Sequence, residues 1–516
     1  MSVWDITSDD VVVAPESDDY EPEDARHPAS QAFVIFGATG DLARRKILPA
    51  LARIAARGSL PDDFTVVGVA RSPMSDDEFR QICLAAAPLE DSQEWEKRVA
   101  RFSYLAIEGH ASGAQYAPLA ERLASVDETM GTHGNRVFYL AIPPDQFASV
   151  VRCLGESGLN EPGNGGEFCR LVIEKPFGVD KASAVQLSDD VHAHFKEEQI
   201  YRIDHYMGKE TVQNILAFRF ANAIFEPIWN RRYVDHVEVL VAESIGIEGR
   251  GEFYEHAGAL RDIVQNHVMQ VLALTLMEPP SSVEGNLIRD EKVKLLRSVV
   301  VVEDNEALNQ VVRGQYAAGF IGSEPAVAYR DEPGVDPKSE TETYVAMRLD
   351  VDNWRWAGVP VFVRTGKRLH ERKTEVVLVF QRPPHLPFLG KLARDLRADS
   401  LTLRIQPDDG IMLCFGAKVP GPTFRVRNVS MNFLYSQAFP GETVDAYDRL
   451  LLDAMVGDPT LFIRDDEVLR AWEIVAPFQR VFAEDAVPLA PYRAGSWGPE
   501  EADRLTEAAG RKWRTI

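Results

Sequence analysis

The chain has 516 residues, with 56 basic against 79 acidic side chains, which gives a formal net charge of −23. So acidic a balance excludes binding chiefly to a nucleic-acid backbone, which requires a net basic face, yet it leaves room for a small anion held by a local cluster of Lys and Arg. Hydrophobic residues make up 45%, enough for a large core, and no apolar stretch approaches the roughly 20 residues of a membrane-spanning helix.

Residues 1–30 carry nine acidic side chains against Arg26, together with Pro15, Pro22 and Pro28. Such a segment cannot bury enough apolar surface to fold, so it is expected to be a disordered acidic tail. The four cysteines (Cys83, Cys153, Cys169 and Cys414) are far apart, with no CxxC pair and no Cys/His ligand cluster. No apolar leader precedes them, so the expectation is a reduced, cytoplasmic protein without a structural metal site.

From Ala32 onward the pattern changes. The apolar runs 32–36, 65–70, 136–142 and 170–173 predict buried parallel strands, and 42–57, 75–86, 114–126 and 145–157 predict helices between them. This alternation predicts an α/β Rossmann-type dinucleotide-binding domain over residues 31–205. Beyond residue 230 the period shifts to that of half-exposed antiparallel strands, in 234–243 and in parts of 299–303, 343–349, 359–364, 375–381 and 400–405. Long helices are predicted at 254–278 and 442–456, and a surface loop at 322–341. Residues 206–516 are therefore expected to form an α+β domain with a large mixed or antiparallel sheet.

Five stretches carry chemistry. Gly37-Ala38-Thr39-Gly40-Asp41-Leu42 lies between the first strand and the first helix, where glycines let the backbone approach a pyrophosphate at a helix N-terminus. The second strand ends in Arg71-Ser72 with no carboxylate, which favours a 2′-phosphate and hence NADP over NAD. Glu174-Lys175-Pro176 closes a buried strand, the end at which open α/β sheets bind ligands. Asp204-His205-Tyr206-Met207-Gly208-Lys209 gathers cations and a phenol suited to a phosphate; if helical, it puts His205 and Lys209 on one face. In the helix at 254–278, Ile263, His267, Val271 and Leu274 share an apolar stripe, flanked by a polar stripe of Asp262, Asn266 and Gln270 that is expected to face a cleft. A His so placed needs a partner, and Asp204 would orient it as a general base. The fifth stretch, Arg364 to Lys373, is a basic cluster in an acidic protein.

These stretches together resemble the glucose-6-phosphate dehydrogenase family. GATGDLARRK (37–46), IEKPFG (173–178), RIDHYMGKE (202–210), GRGEFYEHAGALRDIVQNH (249–267) and RTGKRLHERK (364–373) stand in that family's order, and AYDRLLLDAMVGDPTLFIRDDEVLRAWEI (446–474) extends the likeness. The resemblance implies oxidation of C1 of glucose 6-phosphate by NADP to a lactone, the entry step of the oxidative pentose phosphate pathway, in a homodimer or homotetramer. It implies His267 as catalytic base with Asp204 orienting it. For the substrate it implies Lys175, His205, Tyr206, Lys209, Glu243, Asp262, Lys367, Arg372 and Gln406. For the cofactor it implies Gly37, Thr39, Gly40, Asp41, Leu42, Arg71, Ser72, Lys175 and Pro176. The alternatives are a dehydrogenase of an unphosphorylated sugar and a non-catalytic NADPH sensor.

Overall fold

The run Gln31–Phe36 (β1) is buried at every position, so it requires cover on both faces. It pairs in parallel with Phe64–Ala70 (β2) and Arg136–Leu140 (β4), and Ser103–Ala106 (β3), Cys169–Glu174 (β5) and Ile200–Ile203 (β6) complete a six-stranded parallel sheet. Its order, β3-β2-β1-β4-β5-β6, reverses between β1 and β4, the doubly wound arrangement in which ligands lie outside the carboxyl ends of the strands. The computed structural model describes residues 27–87, 93–385, 396–422, 424–439 and 444–514. The expected acidic tail lies, as far as Arg26, outside the described residues.

The second sheet is mixed. It contains Val234–Ala242 (β7), Val311–Ala317 (β8), Tyr344–Asp350 (β11), Pro360–Gly366 (β12), Lys373–Phe380 (β13), Ser400–Gln406 (β14), Gly410–Lys418 (β15), Val426–Leu434 (β16) and Leu489–Arg493 (β17). Gly319–Ile321 (β9) and Glu324–Ala326 (β10) form a separate two-stranded hairpin. The order is β16-β15-β14-β13-β7-β12-β11-β8-β17, with β7 and β12 parallel and most other pairs antiparallel. The end of β7 (Ala242) lies opposite both the end of β12 (Gly366) and the start of β13 (Lys373), while Thr374 faces the end of β14 (Gln406). Four chain segments are thereby delivered to one sheet edge. A continuous apolar core joins the two sheets.

Several elements depart from the sequence reading. β7 is a central, buried strand rather than a half-exposed one, because its polar His236 and Glu238 are buried against each other and against Asp235. Residues 299–303 contribute one bridge, Val299 to Val351, before a helix begins at Asp304. The expected loop at 322–341 holds β10 and a helical turn, Tyr329–Asp331. The expected helix 254–278 is three segments, Gly251–Ala259, Leu260–Val268 and Met269–Leu276. Within the described residues no helix is long and apolar enough to cross a membrane.

A buried ion pair ties this last helix to the rest. Lys292 Nζ lies 2.8 Å from Glu467 Oε2 and donates to Gln270 Oε1 at 2.8 Å, with both charged side chains fully enclosed. Gln270 therefore serves this interior network and does not line a cleft. Lys292→Met would leave Glu467 buried without its partner. Urea denaturation is expected to show a loss of about 3–5 kcal/mol, largely recovered when Glu467→Leu is added. A loss below about 1 kcal/mol would place the pair among those of negligible worth.

Candidate active site

Lys175 and Asp204 follow directly on β5 and β6, which pair with Glu174 opposite Ile203, so parallel pairing alone makes them neighbours. Residues 204–209 form a turn and not a helix. Asp204 Oδ1 accepts from the Tyr206 amide at 2.9 Å, Met207 N–H donates to Asp204 O at 3.0 Å, and Lys209 N–H to Tyr206 O at 3.1 Å. An Asp whose carboxylate bonds the backbone two residues on favours a turn over a helix. The helix begins only at Glu210.

The third segment is the broken helix. Gly258 has φ +63, and a Cβ there would lie 2.3 Å from Glu342 Oε1, so the kink admits only glycine at this point. Glu342 Oε1 accepts from the Leu260 amide at 3.0 Å and starts the next segment. Leu260–Val268 is wound in wide π-type turns. Asp262 and His267 are five residues apart, which an α-helix would turn about 140° away from each other. The wider winding brings both onto one side, where both meet Lys175.

Lys175 Nζ donates to Asp262 O at 3.0 Å and Oδ1 at 3.2 Å, and it lies 3.0 Å from His267 Nε2. The other ring nitrogen, Nδ1, donates to Asp204 Oδ1 at 2.5 Å, and both of these side chains are almost wholly enclosed. The Tyr206 ring stacks on His267 with centroids 4.2 Å apart, and the His205 ring meets its edge at 4.7 Å. Asp204, His205 and His267 bring three ligand-type atoms within 4.8 Å of one another. Both nitrogens of His267 are engaged, which suits proton transfer better than metal ligation.

The mixed-sheet edge supplies the facing wall. Lys367, directly after β12, pairs with Glu243, directly after β7, at 2.6 Å, and stands 3.8 Å from Asp262. Gln406 Oε1 accepts from Lys209 Nζ at 2.6 Å and Arg372 Nη2 at 2.9 Å. Its Nε2 donates to Thr374 Oγ1 at 2.8 Å and to Tyr206 Oη at 3.4 Å. Burial lowers the His267 pKa below its ordinary value despite the opposing pull of Asp204, so the ring is neutral at neutral pH. Burial would raise Asp204, but the electrostatic pull of the His267 Nδ1–H and its hydrogen bond outweigh it and hold the carboxylate ionised. Burial also opposes ionisation of Asp262, yet Lys175 and Lys367 bring it to about 2. Lys209 is lowered to about 8, first by burial and then by Arg372. His205 is lowered well below its usual value by burial and by His267.

At the reversal point of the parallel sheet, Gly37 has φ +79, and a Cβ there would lie 2.1 Å from Ala141 O. Gly37 N–H donates to Val69 O at 2.8 Å and Gly40 N–H to Gly37 O at 2.9 Å, so this loop packs against the end of β2. Thr39 is half-buried, and Leu42 packs on the core. Asp41 is exposed and pairs with Arg45 at 2.7 Å. Arg71 and Ser72 are exposed just past β2. A glycine-lined backbone beside an exposed guanidinium fits a dinucleotide with an extra phosphate. Lys175-Pro176 is a cis peptide. A cavity of about 1000 Å³ lies elsewhere, lined by residues of β7, β13 to β16 and 509–514.

All the sequence-predicted residues of the substrate set are joined by hydrogen bonds, ion pairs and ring contacts into one group, with the cofactor set at the neighbouring ends of the parallel strands. Asn266 turns back instead, donating to Arg261 O at 3.2 Å. The sequence reading missed Glu342 and Thr374, which hold the helix kink and Gln406, and two phenols, Tyr139 and Tyr447, that donate to Glu174 Oε1. None of these four lies in a recognisable motif for its role.

Residues 34–214 match the family described as glucose-6-phosphate dehydrogenase, NAD binding domain, and residues 216–514 its C-terminal domain. Glucose-6-phosphate 1-dehydrogenase 2 of Mycobacterium tuberculosis (strain ATCC 25618 / H37Rv) is 47% identical over 93% of this chain and 94% of its own length. Glucose-6-phosphate 1-dehydrogenase of Aggregatibacter actinomycetemcomitans is 45% identical over 93% and 97%. A solved glucose-6-phosphate dehydrogenase in complex with its substrate glucose-6-phosphate superposes with a TM-score of 0.86 at 31% identity, over 95% of this chain and 99% of that one. The Mycobacterium avium glucose-6-phosphate 1-dehydrogenase gives 0.81 at 35% identity, with the same coverage.

The two neighbours of His267 act on it in opposite senses, Asp204 raising and Lys175 lowering its pKa. NMR titration is expected to show a further fall in Asp204→Asn and a rise in Lys175→Met. Shifts in the same direction would contradict the arrangement.

Proposed function

The chain belongs to the glucose-6-phosphate dehydrogenase family, and on that footing we propose how its residues carry the reaction. It is an NADP-dependent oxidoreductase that converts D-glucose 6-phosphate to 6-phospho-glucono-1,5-lactone. The observation that carries the mechanistic reading is the line Asp204–His267–Lys175, in which a neutral, enclosed imidazole has Nδ1 on a carboxylate and Nε2 beside an ammonium.

NADP, when bound, takes up the hydride from C1. Gly37, Thr39, Gly40, Asp41 and Leu42 would hold its pyrophosphate side, Arg71 and Ser72 its 2′-phosphate, and Lys175 and Pro176 its nicotinamide end. His267 accepts the C1 hydroxyl proton at Nε2, and Asp204 stabilises the imidazolium and fixes the tautomer. Lys175 Nζ lies on the Nε2 lone pair, so the C1 hydroxyl must displace that hydrogen bond before its proton can pass to His267. His205, Tyr206, Lys209 and Arg372 hold the phosphate, a task for cations and phenol or imidazole donors. Glu243, Asp262, Lys367 and Gln406 hold the sugar hydroxyls. Catalysis then rests on positioning and on one well-matched base.

A homodimer or homotetramer and a cytoplasmic setting belong to the same proposal. The exposed Val429 and Met431 on the edge strand β16 support the first, and four free cysteines support the second.

The test is absorbance at the reduced-nicotinamide band. Glucose 6-phosphate with NADP is expected to react, and His267→Ala to lose about 10²–10⁴-fold in kcat. Arg71→Ala is expected to weaken NADP selectively. An equal loss with NAD would overturn the 2′-phosphate role, and equal rates with glucose and glucose 6-phosphate would overturn the phosphate set.

A further inference from the structure

Two phenols with no part in the chemistry above converge on one carboxylate. Tyr139 on β4 donates to Glu174 Oε1 at 2.5 Å, and Tyr447 donates to the same oxygen at 3.2 Å from the first turn of the helix Ala446–Val456. Tyr139 is fully buried and Tyr447 half-buried. Glu174 is the last residue of β5, so it immediately precedes Lys175, whose ammonium meets His267. Holding Glu174 from two sides fixes the strand end from which Lys175 projects.

Tyr447 is itself held in place. Asp448, the next residue, accepts from Arg53 at 2.6 Å and lies 3.3 Å from Arg57, both at the helix that follows the glycine loop. On the other side the start of the Tyr447 helix rests on the turn after β6, where a Cβ on Gly208 would lie 2.5 Å from Ala446 O. The phenol thus comes from a helix braced against both the dinucleotide helix and the turn that carries Tyr206 and Lys209.

The groups that face Glu174 are Tyr139 from β4, Lys175 from its own strand, Asp204 from beyond β6, and Tyr447. Behind Tyr447, Lys46 Nζ stands 5.8 Å from the ring centre. Burial pushes the Glu174 carboxyl up to about 7, Asp204 adds to the rise, and the two phenols and Lys175 oppose it. Each phenol therefore favours the ionised carboxylate, the form that counters the Lys175 ammonium.

We propose that Tyr447 is a positioning residue for hydride transfer, acting through Glu174 on Lys175 at the end of β5. The proposal rests on the roles given above to Lys175 and His267. Losing one donor raises the Glu174 pKa, so its carboxylate is protonated at a higher pH and its electrostatic support of the Lys175 ammonium is lost earlier as pH falls.

The experiment compares Tyr447→Phe, Glu174→Gln and Asp448→Ala with wild type in kcat, KM for both substrates, thermal midpoint and the pH dependence of kcat. Tyr447→Phe is expected to keep its thermal midpoint and both KM values within about twofold, while kcat at neutral pH falls about tenfold and the acidic limb moves up by about one pH unit. Glu174→Gln, with no carboxyl to titrate, is expected to keep the lowered kcat and to lack this acidic limb. Asp448→Ala is expected to lower the thermal midpoint without moving the limb. A wild-type kcat and limb in Tyr447→Phe would overturn the proposal, as would losses that merely parallel those of Asp448→Ala. If His267→Ala stays active, the parent reading fails; if it is inactive while Tyr447→Phe behaves as wild type, this inference alone fails.

Discussion

A neutral imidazole enclosed between a carboxylate and an ammonium is the arrangement on which the rest depends. His267 must lose its water to remain neutral, and a desolvated ring needs both nitrogens satisfied. Asp204 takes Nδ1–H and Lys175 addresses Nε2. The three groups come from three chain segments, so the fold must bring those segments together within hydrogen-bond distance. Two arrive through adjacent parallel strands, whose pairing in register makes Lys175 and Asp204 neighbours without any special loop. The third needs a helix that changes its winding. Gly258 permits the bend, Glu342 caps the segment beyond it, and wide turns align Asp262 with His267.

The second sheet solves a similar problem by mixing strand directions. With β7 and β12 parallel and β13 antiparallel to β7, two strand ends and one strand start fall on the same edge. Glu243, Lys367 and Arg372 follow from that topology, and β14 adds Gln406. Gln406 then joins the two sheets, because its amide touches Tyr206 and Lys209 from the first and Arg372 and Thr374 from the second. The turn that carries Tyr206 and Lys209 is thus tied to the sheet opposite through Gln406.

What could be read from the sequence was whatever is local. The runs at 32–36, 65–70 and 170–173 are apolar but for Thr65 and Arg170 and could be little else than buried strands. The chemistry of Lys175, Asp204, His205 and Lys209 was visible because those residues crowd short stretches. β7 misled because its polar residues are paired inside the sheet, so its alternation did not mark a solvent face. The turn at 204–209 misled because helical spacing takes no account of an Asp carboxylate bonding the backbone ahead of it. Asp262 and His267 were both identified, yet α-helical geometry would have parted them. Glu342, Thr374 and Tyr447 act on residues 82, 32 and 273 positions away, and no local pattern encodes such a contact.

The acidic balance of the chain acquires a different meaning once the cleft is known. Residues 1–30 contribute −8 of the −23, which leaves −15 on the remainder. A dianionic ligand meets net repulsion over most of that body, so attraction has to come from a small region where water is displaced. Lys209 shows what this requires. Its ammonium is largely enclosed beside Arg372, its strongest hydrogen bond goes to a neutral amide oxygen, and its pKa has fallen to about 8. Asp409 and Glu243 offset that fall only in part. The protein thus keeps cations close together with less negative charge at hand than they could use. Such a cluster opposes its own burial, and it gains most from an incoming anion that bonds Lys209 and Arg372 at once. A phosphate bound here would be held by the charge that the described residues leave uncompensated, in a chain otherwise rich in carboxylates.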